Sequence, residues 1–317
     1  MRYRRLGNAG LKVSEIALGA WTTFGGKIKD LEKVREITRR AYELGINYFD
    51  NADVYSLGEA ERLMGEVVRE FPRSELVLAS KVFWPMSDGT NNRGLSRKHI
   101  RESIDQSLQR MGTDYLDLYF AHRYDPEVEM EEIVSSFSNL IDQGKVLYWG
   151  TSEWPSERFV EAVTFARHNG LHAPVVEQPQ YSMLYRQRVE NLIIPETRRF
   201  GAGLVVWSPL AQGVLTGKYD QGIPEGSRLA QETRTQERLL TPENRQRVLE
   251  LKSLAKELGV SRTQLALAWV LRLPEVTSAI TGATSPEQIE ENAGASGLEL
   301  SAETLAKIDS IFLRSPI

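Results

Sequence analysis

Four side chains that can take part in proton transfer follow short apolar runs in the first half of the sequence. Asp50 ends the run Ile-Asn-Tyr-Phe-Asp, Lys81 ends Leu-Val-Leu-Ala-Ser-Lys, and His122 ends Leu-Asp-Leu-Tyr-Phe-Ala-His. Tyr55 follows Asp50 by five residues. A carboxylate, an ammonium, an imidazole and a phenol that converge can protonate an alkoxide as it forms from a carbonyl group. The four residues therefore predict carbonyl chemistry.

Each residue also has an ordinary explanation: a loop tyrosine, a solvated lysine at a strand end, a turn aspartate and a buried, hydrogen-bonded histidine. Their occurrence at or just after the ends of three successive strands is harder to explain in this way. A phenol with a pKa of about 10 is a weak acid at neutral pH. We expect Lys81 to lower the pKa of Tyr55, Asp50 to keep Lys81 charged, and His122 to orient the substrate oxygen.

The elements that must position these residues alternate along the chain. Apolar runs bounded by polar residues read as buried parallel strands, and the segments between them have helical spacing. Eight such alternations predict an α/β protein, a (β/α)₈ TIM barrel whose strand ends gather at one mouth. The predicted strands end near Gly19, Asp50, Lys81, Ala121, Thr151, Gln178, Trp207 and Thr281, and the helices between them include 30–44, 60–70, 96–111, 129–143, 156–169 and 187–199.

Other segments complete the predicted barrel. Residues 3–6 and 11–14 flank a Gly- and Asn-containing turn and predict an N-terminal β-hairpin. A polar stretch at 216–241 predicts a long loop at the mouth, and extra helices are expected at 242–258, 261–271 and 301–313. No break in composition suggests a second domain, so residues 1–317 are expected to form a single domain.

Composition excludes several classes of function. The net charge of −4 and the absence of basic clusters argue against a nucleic-acid partner. No apolar run is long enough for a membrane span, and no signal peptide is visible. The chain has no cysteine, which excludes disulfides and thiolate metal sites and fits a cytoplasmic protein. A metal-dependent barrel hydrolase remains an alternative, but four histidines and no His-x-His at the first strand favour no metal site.

The combined motifs resemble the aldo-keto reductases over about residues 3–313. The stretch from Phe49 to Tyr55, with Gly-Glu after it, is similar to that family's Asp/Tyr signature; Ser-Lys81 and Ala-His122-Arg resemble its lysine and histidine positions. The resemblance implies an NADP(H)-dependent oxidoreductase that reduces aldehydes, and in some cases ketones, to alcohols. Tyr55 would be the general acid, and a small carbonyl compound the substrate.

Within that family, the chain resembles the branch of voltage-gated potassium channel β subunits and their bacterial relatives. That branch often forms tetramers, so a homo-oligomer is expected, and an NADP-binding regulatory subunit with little turnover is the alternative function. The β subunits have Asn where His122 stands, which favours a working enzyme here; they also have Arg in place of Glu153 and Gln in place of Lys27. The stretches that carry the likeness begin at Trp21, Gly94, Met130, Tyr148 and Trp207.

The same resemblance implies a cofactor site, in the absence of a Gly-x-Gly-x-x-Gly after a strand. Asp50 belongs both to this site and to the catalytic group. Ser152 and Gln178 would hold the nicotinamide amide, and Lys218 and Arg228 would close over the pyrophosphate. The remaining implied cofactor contacts are Trp21, Trp207, Ser208, Pro209, Leu210 and Ala211, followed by Gly282, Thr284, Gln288, Glu291 and Asn292.

The helix that begins at Pro286 offers unpaired N–H groups and a positive dipole for a phosphate. Many reductases have Arg where Gln288 stands, whereas the channel branch has Gln, so NADP is expected as the cofactor. Two tryptophans, Trp21 and Trp84, follow strand ends and are expected to line the substrate pocket together with Tyr55 and His122.

Overall fold

The computed structural model describes residues 1–230 and 232–313 and contains a closed barrel of eight parallel strands. Each strand pairs with the next along the chain, and the last pairs with the first. The predicted (β/α)₈ barrel is therefore confirmed. Its strands are β3 (Ile16–Gly19), β4 (Tyr48–Asp50), β5 (Val77–Val82), β6 (Leu116–Ala121), β7 (Val146–Ser152), β8 (Val176–Gln178), β9 (Gly203–Trp207) and β10 (Val276–Thr281).

Helices surround the barrel and follow the predicted segments closely. In the helix over residues 97–111, the Ser96 hydroxyl accepts a hydrogen bond from the His99 backbone N–H, and Ile100, Ile104 and Met111 face the core at helical spacing. The helices are α1 (Leu31–Glu43), α2 (Glu59–Val68), α3 (Arg97–Met111), α4 (Met130–Asp142), α5 (Ser156–His168), α6 (Ile194–Phe200), α7 (Thr233–Leu239), α8 (Pro242–Glu257), α9 (Arg262–Leu271), α10 (Pro286–Ala293) and α11 (Ala302–Phe312).

The predicted N-terminal hairpin is also present, as β1 (Tyr3–Arg5) and β2 (Lys12–Ser14), and it covers the N-terminal end of the barrel. Leu6 and Val13 pack into the apolar cluster formed by the inward-facing residues of the lower barrel. The turn lies so close to the start of β9 that a Cβ on Gly7 would stand 2.3 Å from the Gly201 carbonyl oxygen. This end of the barrel is filled by side chains.

Alternation along the strands decides which side chains reach the opposite end of the barrel interior. On β5, Val77 and Ala79 belong to the inner cluster, so Lys81, two residues further, lies on the same face. The same spacing places His122 after Phe120, and Gln178 after Val176. The inward-facing polar residues therefore lie above this inner apolar cluster, at the C-terminal mouth.

The polar segment at 216–241 is more regular than a long loop. It contains a turn of 3₁₀-helix at Arg228–Ala230 and the short helix α7. Tyr219, Leu229 and Leu239 are buried against the rest of the fold. The prediction of a long loop was therefore wrong for part of this segment, because three spaced apolar residues anchor it despite its polar composition.

Candidate active site

Lys81 connects the acidic and phenolic groups at the mouth. Its Nζ donates to Asp50 Oδ2 over 2.7 Å, to the Asn51 carbonyl oxygen over 2.6 Å and to Tyr55 Oη over 3.2 Å. The Lys81 side chain is fully buried, and that of Asp50 is 3% exposed. A buried ammonium is retained only when it is paired. The three contacts use all three of its protons, so the ammonium is fixed against the phenol.

The protonation of this group differs in one respect from the expectation. Burial raises the pKa of Tyr55, and Lys81 lowers it only in part, so that the net shift is upward. Burial alone would lower the pKa of Lys81, but Asp50 and the phenol outweigh that effect and raise it. The expected net lowering of the Tyr55 pKa is therefore wrong, because desolvation of the phenolate exceeds the attraction of one ammonium. Tyr55 keeps its proton at neutral pH.

His122 lies next to Tyr55, with the two ring centroids 5.9 Å apart. Burial, together with the charges of Lys81 and Arg123, places the pKa of His122 well below its ordinary value. The imidazole is therefore neutral. Its Nδ1 is buried and has no hydrogen-bond partner among the described residues. A buried N–H without an acceptor is costly, so the proton is favoured on Nε2, where it can be donated.

The segment that carries Tyr55 is held in place by Asp53, which contacts helix α3. Asp53 Oδ1 accepts from the Val54 backbone N–H over 2.6 Å, and its Oδ2 accepts from the Ser103 hydroxyl of α3 over 2.8 Å. Burial and the nearby Glu61 raise the pKa of Asp53 to about 7. Asp53 thus fixes the backbone two residues before Tyr55, a role that the sequence analysis did not assign.

Aromatic side chains form the rim of the mouth. Trp21 and Trp84 are each 38% exposed, and the Trp84 ring lies 6.4 Å from that of His122. Trp21 meets Trp207 edge to face at 5.4 Å. The third tryptophan after a strand end, Trp154, is buried in the core. The two expected pocket walls are thus available to a ligand, whereas Trp154 is not.

The two residues assigned to the nicotinamide amide adjoin the proton-transfer group. Gln178 Nε2 donates to Asp50 Oδ1 over 3.0 Å, and the Ser152 hydroxyl donates to the Gln178 carbonyl oxygen over 3.0 Å. Tyr48 also donates to Asp50 Oδ1, over 3.3 Å. Both oxygens of Asp50 are therefore engaged, which holds the strand ends β4 and β8 in fixed relation.

Buried polar atoms without partners accumulate beyond β9, where the sequence predicted cofactor contacts. Ser208 Oγ, Gln212 Oε1 and Arg228 Nη2 have no hydrogen-bond partner among residues 1–230 and 232–313. Ser208, Ala211 and Gln212 all have positive φ, an unfavourable conformation that clusters at ligand sites. Buried polar groups are normally paired. The unpaired polar atoms of this turn could therefore form hydrogen bonds with a polar ligand.

The two cations of the following segment occupy different positions. The guanidinium carbon of Arg228 lies 4.1 Å from the Trp21 ring centroid, and its Nε donates to Glu232 over 3.3 Å. Lys218 is exposed and lies over Gly213, where a Cβ would stand 2.5 Å from its Cε. Arg228 thus reaches the rim of the mouth, and Lys218 covers the turn after β9. Both are placed to meet an anion beside that turn.

Glu153 occupies the position where the channel branch has arginine. Its carboxylate pairs with Arg188 over 2.7 Å and accepts from Trp207 Nε1 over 3.0 Å. Lys27 donates to the Gly226 carbonyl oxygen over 3.0 Å, which ties the N-terminal part of the mouth to the 216–241 segment. Arg188 therefore supplies a guanidinium near position 153, a role that the sequence analysis did not assign.

The start of α10 lies after β10, as predicted. The side chain of its N-cap residue, Ser285, accepts no hydrogen bond from the backbone of the helix. Gln288 Oε1 accepts instead from the Thr284 backbone N–H over 2.8 Å, and Asn292 is buried. The structure thus brings Gly282, Thr284, Gln288, Glu291 and Asn292 into one turn-and-helix unit, separate from the proton-transfer group.

Comparison with known proteins agrees with this geometry. A sequence model of the aldo/keto reductase family matches residues 15–312. The chain belongs to the aldo/keto reductase family. None of the helices in the described part of the chain is both long and apolar enough to cross a membrane.

Family relatives with assigned names cover nearly the whole chain. A putative voltage-gated potassium channel subunit beta of Schizosaccharomyces pombe is 45% identical over 326 residues, 99% of this chain and 94% of the relative. A probable voltage-gated potassium channel subunit beta of Oryza sativa subsp. japonica is 42% identical, with 100% and 98% covered. One of Arabidopsis thaliana is 45% identical, with 92% and 90% covered. The likeness to the channel-subunit branch is thus shown.

Proposed function

We propose that this aldo/keto reductase reduces aldehydes, and in some cases ketones, to alcohols with NADPH, and that Tyr55 is the general acid. The observation that carries the proposal is the contact of one buried ammonium, Lys81 Nζ, with both Tyr55 Oη and Asp50. A protonated phenol beside a fixed cation can release its proton to an oxygen that is becoming an alkoxide, because the cation stabilises the phenolate left behind.

In this mechanism, the Tyr55 hydroxyl and the Nε2–H of His122 both donate to the carbonyl oxygen of the substrate. As negative charge develops on that oxygen, the phenol proton is transferred to it, and Lys81 stabilises the resulting phenolate. Asp50 keeps Lys81 charged through this step. Trp21 and Trp84 contact the apolar part of the substrate and limit the access of water, which strengthens these interactions.

The residues beyond β9 fit an NADP(H) molecule. When bound, NADPH would supply the hydride to the carbonyl carbon of the substrate. The unpartnered Arg228 Nη2 and Ser208 Oγ suit phosphate oxygens. Lys218 would add charge to the same anion, while Ser152 and Gln178 would orient the nicotinamide amide. Thr284 and Gln288 would meet the adenosine 2′-phosphate, with Glu291 and Asn292 on the adenine.

A turnover assay tests this function. The purified protein is supplied with NADPH and a panel of about twenty carbonyl compounds, and cofactor oxidation is followed. We expect turnover with activated aldehydes, and we expect Tyr55→Phe to lower kcat by roughly 10²–10⁴-fold with NADPH affinity retained. A near-normal kcat for Tyr55→Phe would remove Tyr55 from the acid role.

A second candidate function follows from the names of the relatives: a cofactor-binding potassium channel β subunit with little turnover. The presence of His122, where that branch has Asn, favours the enzyme. Tight NADPH binding without turnover on any carbonyl in the panel would favour the regulatory function instead. Under either function we propose a cytoplasmic homotetramer, which light scattering of the purified protein tests for its oligomeric state.

A further inference from the structure

One cation at the mouth has no role in the proton-transfer group. Arg123 follows His122 at the end of β6, and its guanidinium carbon lies 5.6 Å from the Trp84 ring centroid. Its Nη1 donates to the His122 carbonyl oxygen. Arg123 is half-buried, and within the described part of the chain it forms no ion pair. Its remaining N–H donors are available to another group.

Two other buried or partly buried cations near Arg123 are paired with carboxylates, whereas Arg123 is not paired within residues 1–230 and 232–313. Lys81 pairs with Asp50, and Arg188 pairs with Glu153, each over 2.7 Å. Tyr55 and His122 are neutral, and Arg123 forms no ion pair with a carboxylate of the described residues, so its positive charge is left unbalanced.

The field of this guanidinium reaches the reacting groups. Arg123 contributes to lowering the pKa of both Tyr55 and His122. Burial lowers the pKa of Arg123 itself, and the more distant Glu153 counters this only in part. A guanidinium stays charged in proteins, so its partial burial without a partner is unfavourable until an anion arrives.

We propose that Arg123 binds an oxyanion carried by the carbonyl substrate, so that the preferred substrates are small aldehydes with a carboxylate or phosphate group a few bonds from the carbonyl. The guanidinium would bind the anion through two parallel hydrogen bonds, in a bidentate contact, while Tyr55 and His122 hold the carbonyl oxygen. The Trp84 ring supports the guanidinium from one side. This inference rests on the proposed reductase function and names its substrate class.

The test compares two aldehydes that differ in charge and little in shape: 4-formylbenzoate and its methyl ester. The measured quantity is the ratio of their kcat/KM values with NADPH. We expect the wild-type protein to prefer the carboxylate, and Arg123→Gln to lower the ratio by on the order of 10–100-fold, the effect of losing a charged hydrogen bond. Arg123→Lys should recover part of the preference.

The ratio separates substrate binding from an indirect effect. If Arg123 acted only through the pKa of Tyr55 or on the fold, both aldehydes would lose activity equally and the ratio would stay constant, which would overturn the proposal. Arg101→Gln, an exposed arginine on α3, is the matched control and should keep the wild-type ratio. A wild-type protein with no preference for the carboxylate would also overturn it.

A measurement of ligand binding at equilibrium tests the proposal without requiring turnover. Binding of 4-formylbenzoate and of its methyl ester to the NADP⁺-loaded protein is followed by tryptophan fluorescence, in the wild type and in Arg123→Gln. Loss of carboxylate binding alone supports the proposal even if no aldehyde is reduced, an outcome that would overturn only the reductase function; equal binding in both proteins contradicts it. Glyceraldehyde 3-phosphate against glyceraldehyde decides whether phosphate serves as the anion.

Discussion

Gln178 donates a hydrogen bond to Asp50 across the full width of the barrel. The donor stands at the end of β8 and the acceptor at the end of β4, four strands away on either path around the closed sheet, yet Nε2 and Oδ1 are 3.0 Å apart. The other oxygen of Asp50 holds Lys81. One carboxylate therefore joins the residue proposed for the nicotinamide amide to the lysine beside Tyr55.

Removal of Lys81 should affect both turnover and stability. Lys81→Met leaves Asp50 as an unpaired buried charge, so we expect the free energy of unfolding to fall by roughly 3–5 kcal/mol. The double variant Asp50→Asn/Lys81→Met removes both charges and should regain most of that stability in a denaturant titration, while reduction stays lost. Full activity in the stable double variant would show that the pair is only structural.

Replacement of His122 tests the orientation of the carbonyl. His122→Asn keeps a donor but shortens its reach, so kcat/KM for several aldehydes should fall roughly tenfold or more, with NADP⁺ affinity unchanged. His122→Gln, which has a longer side chain, serves as the comparison. Unchanged kcat/KM for every aldehyde in the panel would make the imidazole dispensable and strengthen the case for a regulatory subunit.

Asp53 should make stability depend on pH. Its pKa of about 7 in the folded chain exceeds the ordinary aspartate value of 3.8, so between these values the folded state holds a proton that the unfolded state has lost. Stability from this group is therefore complete at low pH and is lost as the pH rises through about 7. Above pH 7 the loss is constant.

Asp53→Asn keeps the side-chain shape and removes this titration. The free energy of unfolding of the variant, relative to wild type, should rise with pH between about 4 and 7 by up to about 1.4 kcal/mol per pH unit. Urea titrations at four pH values measure it. Asp105→Asn, at a half-exposed site on α3, is the control, and a slope equal to that of Asp53→Asn would assign the effect to charge in general.

Cofactor binding should protect the segment between residues 218 and 241. Residues 221–226 are mostly exposed, and Arg228 bridges the segment to Trp21. Limited proteolysis with subtilisin, whose cleavage does not need basic residues, should cut this segment in the cofactor-depleted protein, and NADP⁺ should suppress the cut. The Lys218→Ala/Arg228→Ala variant should lose the protection and bind NADP⁺ more weakly, because these charges meet the pyrophosphate.

The control for that experiment is Lys12→Ala/Arg101→Ala, which removes two exposed cations away from the mouth. It should behave as the wild type does. Cleavage that is insensitive to NADP⁺ in all three proteins would separate the segment from cofactor binding.

Strand ends could be predicted because burial leaves a local trace. Runs such as Leu76–Ala79 are apolar on both faces, and the polar residues that follow them mark the mouth. The pairing of Glu153 with Arg188 joins residues 35 positions apart and leaves no such trace. Arg123 could have been noticed as a cation directly after a strand end, but its lack of a carboxylate partner is visible only in three dimensions.

The net direction of the Tyr55 pKa shift also could not be predicted from the sequence. Lys81 next to Tyr55 indicated a lowered phenol pKa, yet the sign depends on how completely the phenol is buried. The 216–241 segment was expected to be a loop from its Gly, Pro and polar content, whereas Leu229 and Leu239 are buried in the main apolar cluster and anchor the 3₁₀ turn and α7.

The hairpin fills the N-terminal end of the barrel, so ligands enter at the C-terminal mouth. Under the proposed function, two ligands share that mouth. Gln178 and Ser152, proposed for the nicotinamide, are buried, whereas Trp21 and Trp84 are exposed at the rim. A carbonyl compound seated first would obstruct the path of the nicotinamide. The kinetic mechanism should therefore be ordered, with NADPH binding first and NADP⁺ leaving last. NADP⁺ should then be a competitive inhibitor with respect to NADPH but not with respect to the aldehyde.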